Sequence, residues 1–357
     1  MALITINLIV SNSERESKYI PYLFASLRNQ TFTDWQMNVL DNHSDGEVVS
    51  LVEKELANLG KKYEITKSQK NLGFAEGHNL LYRRADTAYV LMLNPDMYLL
   101  PDVLAKLAAF MQEHQEVATV SARLMRWDFA SVQAKQEAAA GFTDFIDAIG
   151  IRLLRNRRAV EWLAQQEWRA DSPDKNVSYI FPRSIVEVFG VSGALPLFRK
   201  KAIDQTLLPG DNIFDPTYHS YKEDLDLAYR LRNLGFTSYV ILNAVAYHDR
   251  RGAAPKQLGD WAAIRNHRRQ SHYVRFHSYK NHLRTLYKNE YWQNLAMDWP
   301  YIFWFELKKF TFLLVTDPMV IIRGWYELAR DFGYTFRARR AIIKGRKLYW
   351  RGLRRWF

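Results

Sequence analysis

The stretch "VLMLNPDMYLL" (residues 90–100) holds an apolar run, a polar break at Asn94, Pro95 and Asp96, and a second apolar run. Such a short apolar run is typical of a buried strand. Proline cannot donate to a strand ladder, so we expect the chain to turn there and to present the Asp96 carboxylate at the edge of a sheet.

Other strand-like runs surround this one and alternate with amphipathic, helix-like stretches. The strands are predicted at 3–10, 36–40, 89–93 and 117–122, and the helices at 20–29, 47–59 and 101–113. Successive parallel strands need crossover connections, so this βαβα order predicts an α/β fold: a doubly wound, mostly parallel sheet with helices on both faces. Ligands of such sheets bind at the carboxyl ends of the strands. Polar clusters follow predicted strands at 11–13, 41–46 and 94–96.

Composition favours one large domain with an appendage, since the chain has 357 residues and ample apolar content for a core. It contains no cysteine, which suits a reducing compartment. The start "MALITINLIV" alternates like a strand and lacks the basic region of an export signal. We therefore expect a cytoplasmic location.

Residues 125–185 interrupt the strand and helix alternation and are interpreted as an insertion, with a basic helix predicted over 152–169. Strand, helix and strand return between 188 and 252. A further helix, rich in basic, His and Tyr residues, is predicted within 265–288. These breaks predict a first domain over 1–250 and a helical, basic, aromatic-rich extension over 251–357.

Charge is distributed unevenly between these two parts. Residues 1–248 hold 27 Lys and Arg against 30 Asp and Glu, a charge of −3. Since the whole chain carries +12, residues 249–357 carry +15. The tail 337–357 mixes basic residues with Tyr and Trp, which favours an anionic membrane surface as partner. Nucleic acid is the alternative anionic partner, although acidic clusters in the first domain disfavour it. Charged residues interrupt every apolar stretch of the extension, so a membrane-spanning helix is not expected.

Several residues could carry chemistry, and each has a structural alternative. Asp96 could bind Mg²⁺ or Mn²⁺, or it could cap the next helix. Glu223, Asp224 and Asp226 begin an amphipathic helix, where acids are stabilised by the helix dipole, but one of them could also serve as a general base. His248 ends a strand and could complete a metal site or be structural.

Six ordered motifs together resemble one known family. They are "LDNHSDG", "NLGFAEGHN", "LNPD", "SGALPLFRK", "FDPTYHSYKEDLDLAYRLRNLG" and a distal "YH", spread over residues 3–250. The chain resembles the family 2 glycosyltransferases of the GT-A fold, and in particular a bacterial rhamnosyltransferase-like group. Asn94 stands where many members have the first acid of a DxD motif, and His219 where an aromatic residue is usual.

The resemblance implies a role for each matching residue. Asp96 and His248 would bind the divalent metal, Asp224 would be the general base, and Glu223 would orient the acceptor. The residues implied in binding the nucleotide-sugar donor are Ser11, Asn12, Asp41, Asn42, Asn71, Gly73, Phe74, Asn79, Asn94, Ser192 and Gly193.

The implied activity is inverting, metal-dependent transfer of a sugar to a cell-envelope glycan or lipid-linked acceptor at the inner face of the membrane. dTDP-rhamnose is one candidate donor, and a UDP-sugar is the alternative. The insertion is the expected acceptor region. From another class, a non-catalytic scaffold or a nucleic-acid-binding protein stays open.

Overall fold

The computed structural model describes residues 2–11, 14–168, 184–250 and 270–357. Within them lie a ten-stranded sheet and a two-stranded sheet. In chain order the strands are β1 (Ile4–Ser11), β2 (Trp35–Asn42), β3 (Tyr63–Lys67), β4 (Tyr89–Leu93), β5 (Met97–Leu99), β6 (Val117–Trp127), β7 (Phe142–Ala148), β8 (Ile151–Leu153), β9 (Ala159–Glu161), β10 (Ile185–Glu187), β11 (Leu197–Arg199) and β12 (Thr237–His248).

The helices before the extension lie between these strands. They are α1 (Glu14–Ser17), α2 (Ile20–Arg28), α3 (Gly46–Ala57), α4 (Gly73–Arg84), α5 (Val103–Glu113), α6 (Phe129–Lys135), α7 (Lys200–Ile203) and α8 (Glu223–Asn233), with short 3₁₀ turns at Ala138–Gly141 and Asp204–Thr206. The extension contributes α9 (His272–Asn289), α10 (Trp292–Thr316), α11 (Pro318–Arg330), α12 (Phe332–Gly345) and α13 (Trp350–Arg354).

The long strands of the large sheet run in one direction. β3, β2, β1 and β4 pair in parallel, and β12 pairs in parallel with β6. The short strand β11 lies antiparallel to both β4 and β6, so those two strands also share a direction. The mostly parallel sheet predicted from the sequence is confirmed, and the reversed strands β5, β7, β10 and β11 are additions to it.

Alternate residues of β4 show that helices cover both faces. Tyr89, Leu91 and Leu93 belong to a core formed with α2, α3 and α5. Val90 and Met92 belong to a second core formed with α4 and α8. Successive side chains of a strand point to opposite faces, so the sheet is buried on both sides, as the continuous apolar run predicted.

The extension is joined to α8 through buried charges. Lys288 of α9 places its Nζ 2.6 Å from Asp215 Oδ2 and 2.9 Å from Asp226 Oδ1, and all three side chains are fully buried. A buried charge is costly unless it is paired, so these contacts fix α9 against the first part of the chain. The helix predicted within 265–288 is confirmed from His272 onward, and residues 265–269 lie outside the described part.

The prediction of a helix over 152–169 is wrong in the described residues. Strands β8 and β9 form an antiparallel hairpin there, with Ile151 and Leu153 buried and Arg152 exposed between them. This alternation has the period of a strand. Arg157, at the turn, is fully buried and donates to Glu290 Oε2 at 2.6 Å, so the basic residues meet partners in the extension.

The tail 337–357 is not one continuous helix. It divides into the end of α12 and the short α13, and Leu353 of α13 is completely buried against Phe189 and Tyr229. Trp356 and Phe357 pack on the same cluster, whereas Tyr349 is exposed. No helix in the described ranges is long and apolar enough to cross a membrane.

Candidate functional site

The carboxyl ends of β1 and β2 form one side of the predicted ligand edge. Ser11 and Asn42 are direct neighbours in the parallel register, as are Val10 and Asp41. The Ser11 amide and hydroxyl donate to the Glu16 carboxylate at 2.8 and 2.9 Å. Asp41 Oδ1 accepts from the backbone of Ser44 at 2.8 Å. The predicted Asn12 lies outside the described residues.

Two asparagines shape the loop that enters α4. Asn42 Nδ2 donates to Asn71 Oδ1 at 3.1 Å, and Asn42 Oδ1 accepts from the Leu72 amide at 2.7 Å. Gly73 follows with φ +74, and a Cβ there would lie 1.8 Å from His219 Nδ1. Only glycine fits both this conformation and this close approach.

Phe74 and Asn79, both on α4, have different surroundings. The tip of the Phe74 ring lies 3.7 Å from where a Cβ of Gly193 would be, so Phe74 borders the site. Asn79 is completely buried, and its amide exchanges two hydrogen bonds with the backbone of Phe214, at 3.0 and 2.8 Å. Asn79 therefore attaches α4 to the segment before α8.

Asp96 and His248 meet at the other side of the edge. Strand β5, directly after Asp96, pairs with the end of β12, which places Asp96 Oδ1 3.3 Å from His248 Nε2. The other ring nitrogen, His248 Nδ1, lies 2.9 Å from Asp147 Oδ2. Burial lowers the pKa of His248, but the two carboxylates outweigh burial and raise the pKa to about 9.

Arg250 continues this chain of charges toward the middle of the site. Its guanidinium lies 3.3 Å from Asp147 Oδ2 and donates to Glu161 Oε1 at 2.8 Å and to Ser192 Oγ at 2.9 Å. Burial raises the pKa of Glu161, and nearby Asp224 and Asp147 add to the rise although Arg250 opposes it. Glu161 thus brings the β8–β9 hairpin of the predicted insertion into the site.

The segment after Ser192 reaches the helix that carries the acids. The Gly193 amide lies 3.3 Å from Asp224 Oδ2, and Asp224 Oδ1 accepts from the Leu225 amide at 2.7 Å. The Asn94 amide donates to the Ala194 carbonyl at 3.1 Å, which holds the strand-end loop beside the same segment. Residues 192–194 therefore connect the Asp96 side of the site to Asp224.

Glu223 precedes Asp224 and is buried. Burial, reinforced by the Asp224 charge, raises the pKa of Glu223 to about 8. Its Oε2 has no hydrogen-bond partner among the described residues. Burying a carboxyl oxygen without a hydrogen-bond partner costs free energy. A hydroxyl of a bound molecule that donates to this oxygen would offset that cost.

Asp96 and His248 fit a divalent cation, although no group of three or more His, Asp or Glu side chains gathers around a metal position in the described part of the chain. Neighbouring ligands of an octahedral cation at about 2.1 Å stand about 3 Å apart, close to the 3.3 Å found between these two atoms. Asp147 supplies the carboxylate that commonly orients a metal-bound histidine through its second nitrogen. Two protein ligands suffice when substrate phosphates and water complete the coordination.

Replacing Asp147 by asparagine is expected to weaken Mn²⁺ binding by about 10- to 100-fold, the usual cost of losing an outer carboxylate behind a histidine ligand. The measurement is a calorimetric Mn²⁺ titration in the presence of a nucleoside diphosphate. Asp144→Asn, at an exposed position of the same strand, is the matched control and should leave the affinity unchanged. Equal affinities in wild type and Asp147→Asn would contradict the role of Asp147.

The sequence did not single out Asp147, Glu161 or Arg250 as site residues. Arg250 carried the best signal, because it follows a strand-end histidine by two positions. Asp147 and Glu161 lie in the insertion, 101 and 89 positions from the residues that they contact.

The fold is of the GT-A type. The crystal structure of GalNAc-T7 with UDP, GalNAc and Mn²⁺ superposes with a TM-score of 0.55 at 9% identity, covering 81% of this chain and 48% of that one. Residues 8–160 match the model of the family described as glycosyl transferase family 2. This match covers 153 of the 357 residues and includes Asp96 but neither Asp224 nor His248.

Two further solved structures are similar. The mannosyltransferase PcManGT from Pyrobaculum calidifontis, in complex with GDP-Man and Mn²⁺, gives a TM-score of 0.49 at 15% identity, over 93% of this chain and 75% of that one. S. aureus TarS 1-349 in complex with UDP gives 0.46 at 13% identity, over 97% and 93%. The chain spans about half the length of the GalNAc-T7 chain. A search of curated proteins finds no match.

Proposed function

We propose that the protein is an inverting, metal-dependent glycosyltransferase that moves a sugar from a nucleotide sugar to an acceptor hydroxyl. One observation carries the proposal: a metal-competent pair, Asp96 and His248, and a carboxylate suited to be a base, Asp224, lie at one sheet edge and are connected through residues 192–194. The match of residues 8–160 to the family 2 glycosyltransferase model supports the same activity.

The donor would lie along the strand ends. Ser11, Asp41 and Asn42 are placed to contact the base and ribose, and the loop of Asn71 and Gly73, with Phe74 behind it, would line the nucleotide sugar. Asn79 would act indirectly, by holding α4 in place. The UDP and Mn²⁺ in the similarly folded GalNAc-T7 structure support a nucleotide and a metal here.

Asp96 and His248 would hold Mg²⁺ or Mn²⁺, with Asn94 beside them. A bound divalent cation neutralises the charge that grows on a departing nucleoside diphosphate. Asp147 holds the His248 ring in the orientation in which Nε2 faces Asp96. Arg250 in turn neutralises Asp147 and Glu161, so these two buried acids do not face each other without a cation.

Asp224 would accept the proton of the acceptor hydroxyl while that hydroxyl attacks the anomeric carbon from the face opposite the nucleotide. Attack from that face inverts the configuration, as in inverting glycosidases, where a carboxylate activates water in the same position. Glu223 would orient the acceptor, since its free oxygen can hydrogen-bond a sugar hydroxyl. Ser192 and Gly193 would allow the backbone to approach the donor sugar closely.

For the donor we propose dTDP-rhamnose first, on the motif resemblance, with a UDP-sugar as the alternative. The acceptor would be a cell-envelope glycan or a lipid-linked precursor at the cytoplasmic face of the membrane. The β8–β9 hairpin, which brings Glu161 beside Asp224, supports the insertion as the acceptor region. In this proposal residues 1–250 carry the chemistry and 251–357 carry the membrane contact.

Binding of a nucleotide panel tests the proposal. With dTDP, UDP and GDP, each with and without Mn²⁺, we expect one nucleotide to raise the melting temperature only when Mn²⁺ is present. At a hundred times Kd the stabilisation is about 2.7 kcal/mol. A shift with dTDP alone favours rhamnosyl transfer, and a shift with UDP favours the alternative donor. An unchanged melting temperature with every nucleotide would contradict the proposal. The alternatives would then be a non-catalytic scaffold or a nucleic-acid-binding protein.

A further inference from the structure

Helix α10 exposes its apolar side and buries its charged side. Every residue of α10 that is exposed is uncharged. Trp292, Trp299 and Trp304 expose 59 to 69% of their surface, Phe303 exposes 55% and Val315 exposes 78%. A surface helix of a globular protein ordinarily shows the opposite arrangement, with its polar face toward water.

The charges of α10 explain its orientation. Asp298 is fully buried and paired with Arg155 at 2.7 Å, Arg157 at 3.1 Å and Arg354 at 2.9 Å. Glu306 lies 2.8 Å from His282 and 3.3 Å from Lys309. Because these ion pairs bind the polar side of α10 to the protein, the aromatic side must face outward.

Helix α11 continues the same surface and adds cations to it. Met319, Ile322, Trp325 and Tyr326 expose 49 to 66% of their surface. Exposed arginines lie among and beside them, including Arg323 and Arg330 on α11 and Arg337 and Arg340 on α12. Residues 292–357 hold 13 Lys and Arg against 5 Asp and Glu.

This combination is complementary to an anionic lipid surface. Trp and Tyr favour the level of the headgroups, exposed apolar side chains favour the acyl boundary, and Arg and Lys favour anionic headgroups. Extended apolar surfaces rimmed by polar residues are uncommon on proteins that remain free in water. We infer that the outer face of α10 and α11, centred on Trp299, Phe303 and Trp325, binds an anionic membrane, with α10 lying parallel to the bilayer.

The position of α10 relative to the catalytic loop gives this contact a function. Asn281 of α9 donates to the carbonyls of Ser220 and Tyr221, directly before Glu223, at 2.9 and 2.8 Å. The next residue, His282, contacts Glu306 of α10. The helix that carries the membrane-binding face is thus linked through α9 to the loop before Glu223 and Asp224. A lipid-linked acceptor would approach Asp224 from that side. This last step rests on the proposed function, whereas the membrane contact does not.

The surface differs from the one that the sequence indicated. Composition pointed to the tail 337–357, but Leu353 is buried and Trp356 packs on Phe189. The membrane-binding residues are assigned to 292–326 instead.

Vesicle sedimentation tests the assignment, using phosphatidylcholine vesicles with and without phosphatidylglycerol. Wild type should sediment with the anionic vesicles. Trp299→Glu combined with Phe303→Glu should lower the partition coefficient at least about tenfold, because two aromatic contacts are lost and two negative charges face the anionic lipid. Lys54→Gln with Lys201→Gln lowers the net charge equally at exposed positions outside the extension and should change partition little.

Two further measurements separate the possible failures. The double glutamate variant should keep its Mn²⁺-dependent nucleotide stabilisation, so lost vesicle binding with intact nucleotide binding supports the inference and excludes misfolding. Equal sedimentation of wild type and variant, or no sedimentation of wild type, overturns it even if the donor binds. A wild-type dimer that the variant converts to a monomer, or DNA binding lost with the same two residues, overturns it in favour of another partner.

Discussion

Replacing Asp224 by asparagine should lower the rate of sugar transfer by about two to four orders of magnitude, the contribution of a positioned general base. Asparagine has the same shape, and its single side-chain oxygen can still accept from the Leu225 amide, which lies 2.7 Å from Oδ1, whereas the longer 3.3 Å contact of the Gly193 amide with Oδ2 is lost. The site geometry should therefore persist while the proton acceptor is lost. Steady-state rates at saturating donor, with nucleotide affinity measured in parallel, check this expectation.

Asp226 provides a contrast on the same helix. It is completely buried and paired with Arg230 and Lys288, so Asp226→Asn should lower stability, as loss of one partner of a buried pair commonly costs about 3–5 kcal/mol. The Asp224 variant should melt close to wild type. If Asp224→Asn transfers sugar within a few-fold of the wild-type rate, the base lies elsewhere, and Glu161 is the nearby carboxylate to replace next.

Replacing Asp96 by alanine should abolish the advantage that Mn²⁺ gives to nucleotide binding. Outer carboxylates cost about 10- to 100-fold when lost, so a direct ligand should cost about 100-fold or more in metal-dependent affinity. Nucleotide affinity without metal should change little, because the strand-end contacts of β1 and β2 remain. Calorimetric titration of the preferred nucleotide, with and without Mn²⁺, separates the two quantities.

The control for Asp96 is Asp102→Ala, an acid six positions later that is about half exposed and paired only at the surface with Lys106. It should bind nucleotide and metal like wild type. Mn²⁺-dependent binding that survives in Asp96→Ala would place the metal away from His248 and would remove the main support for the proposed chemistry.

The first half of the fold was predictable because its signals are local. The runs that became β1, β2, β4 and β6 are apolar enough to be recognised alone, and the helices between them are amphipathic. The short reversed strands β5 and β10 were not predictable, because three residues carry too little pattern, whereas β11 lies in the region where a strand was predicted to return after residue 188. Their position depends on pairing with distant strands.

The site was predictable only in part for a similar reason. Asp96, Asp224 and His248 stand in motifs or at strand ends, which a single sequence can show. Asp147 and Glu161 acquire their role only when the insertion folds back on β12 and on the segment of Ser192. The outward direction of the aromatic residues on α10 likewise follows from ion pairs with residues more than a hundred positions away.

Because of Arg157, the stability of the first part of the protein depends on the C-terminal helices. Its guanidinium is completely buried between Glu290 and Asp298, at 2.6 and 3.1 Å, and a chain that stopped before these acids would leave the cation with neither. Losing the partner of one buried charge already costs about 3–5 kcal/mol, a large share of the 5–15 kcal/mol that keeps a typical protein folded. The extension and the first part of the protein should therefore melt in one transition and move as one body. Asp96, His248 and Asp224 then stay at a constant distance from any surface on which α10 rests.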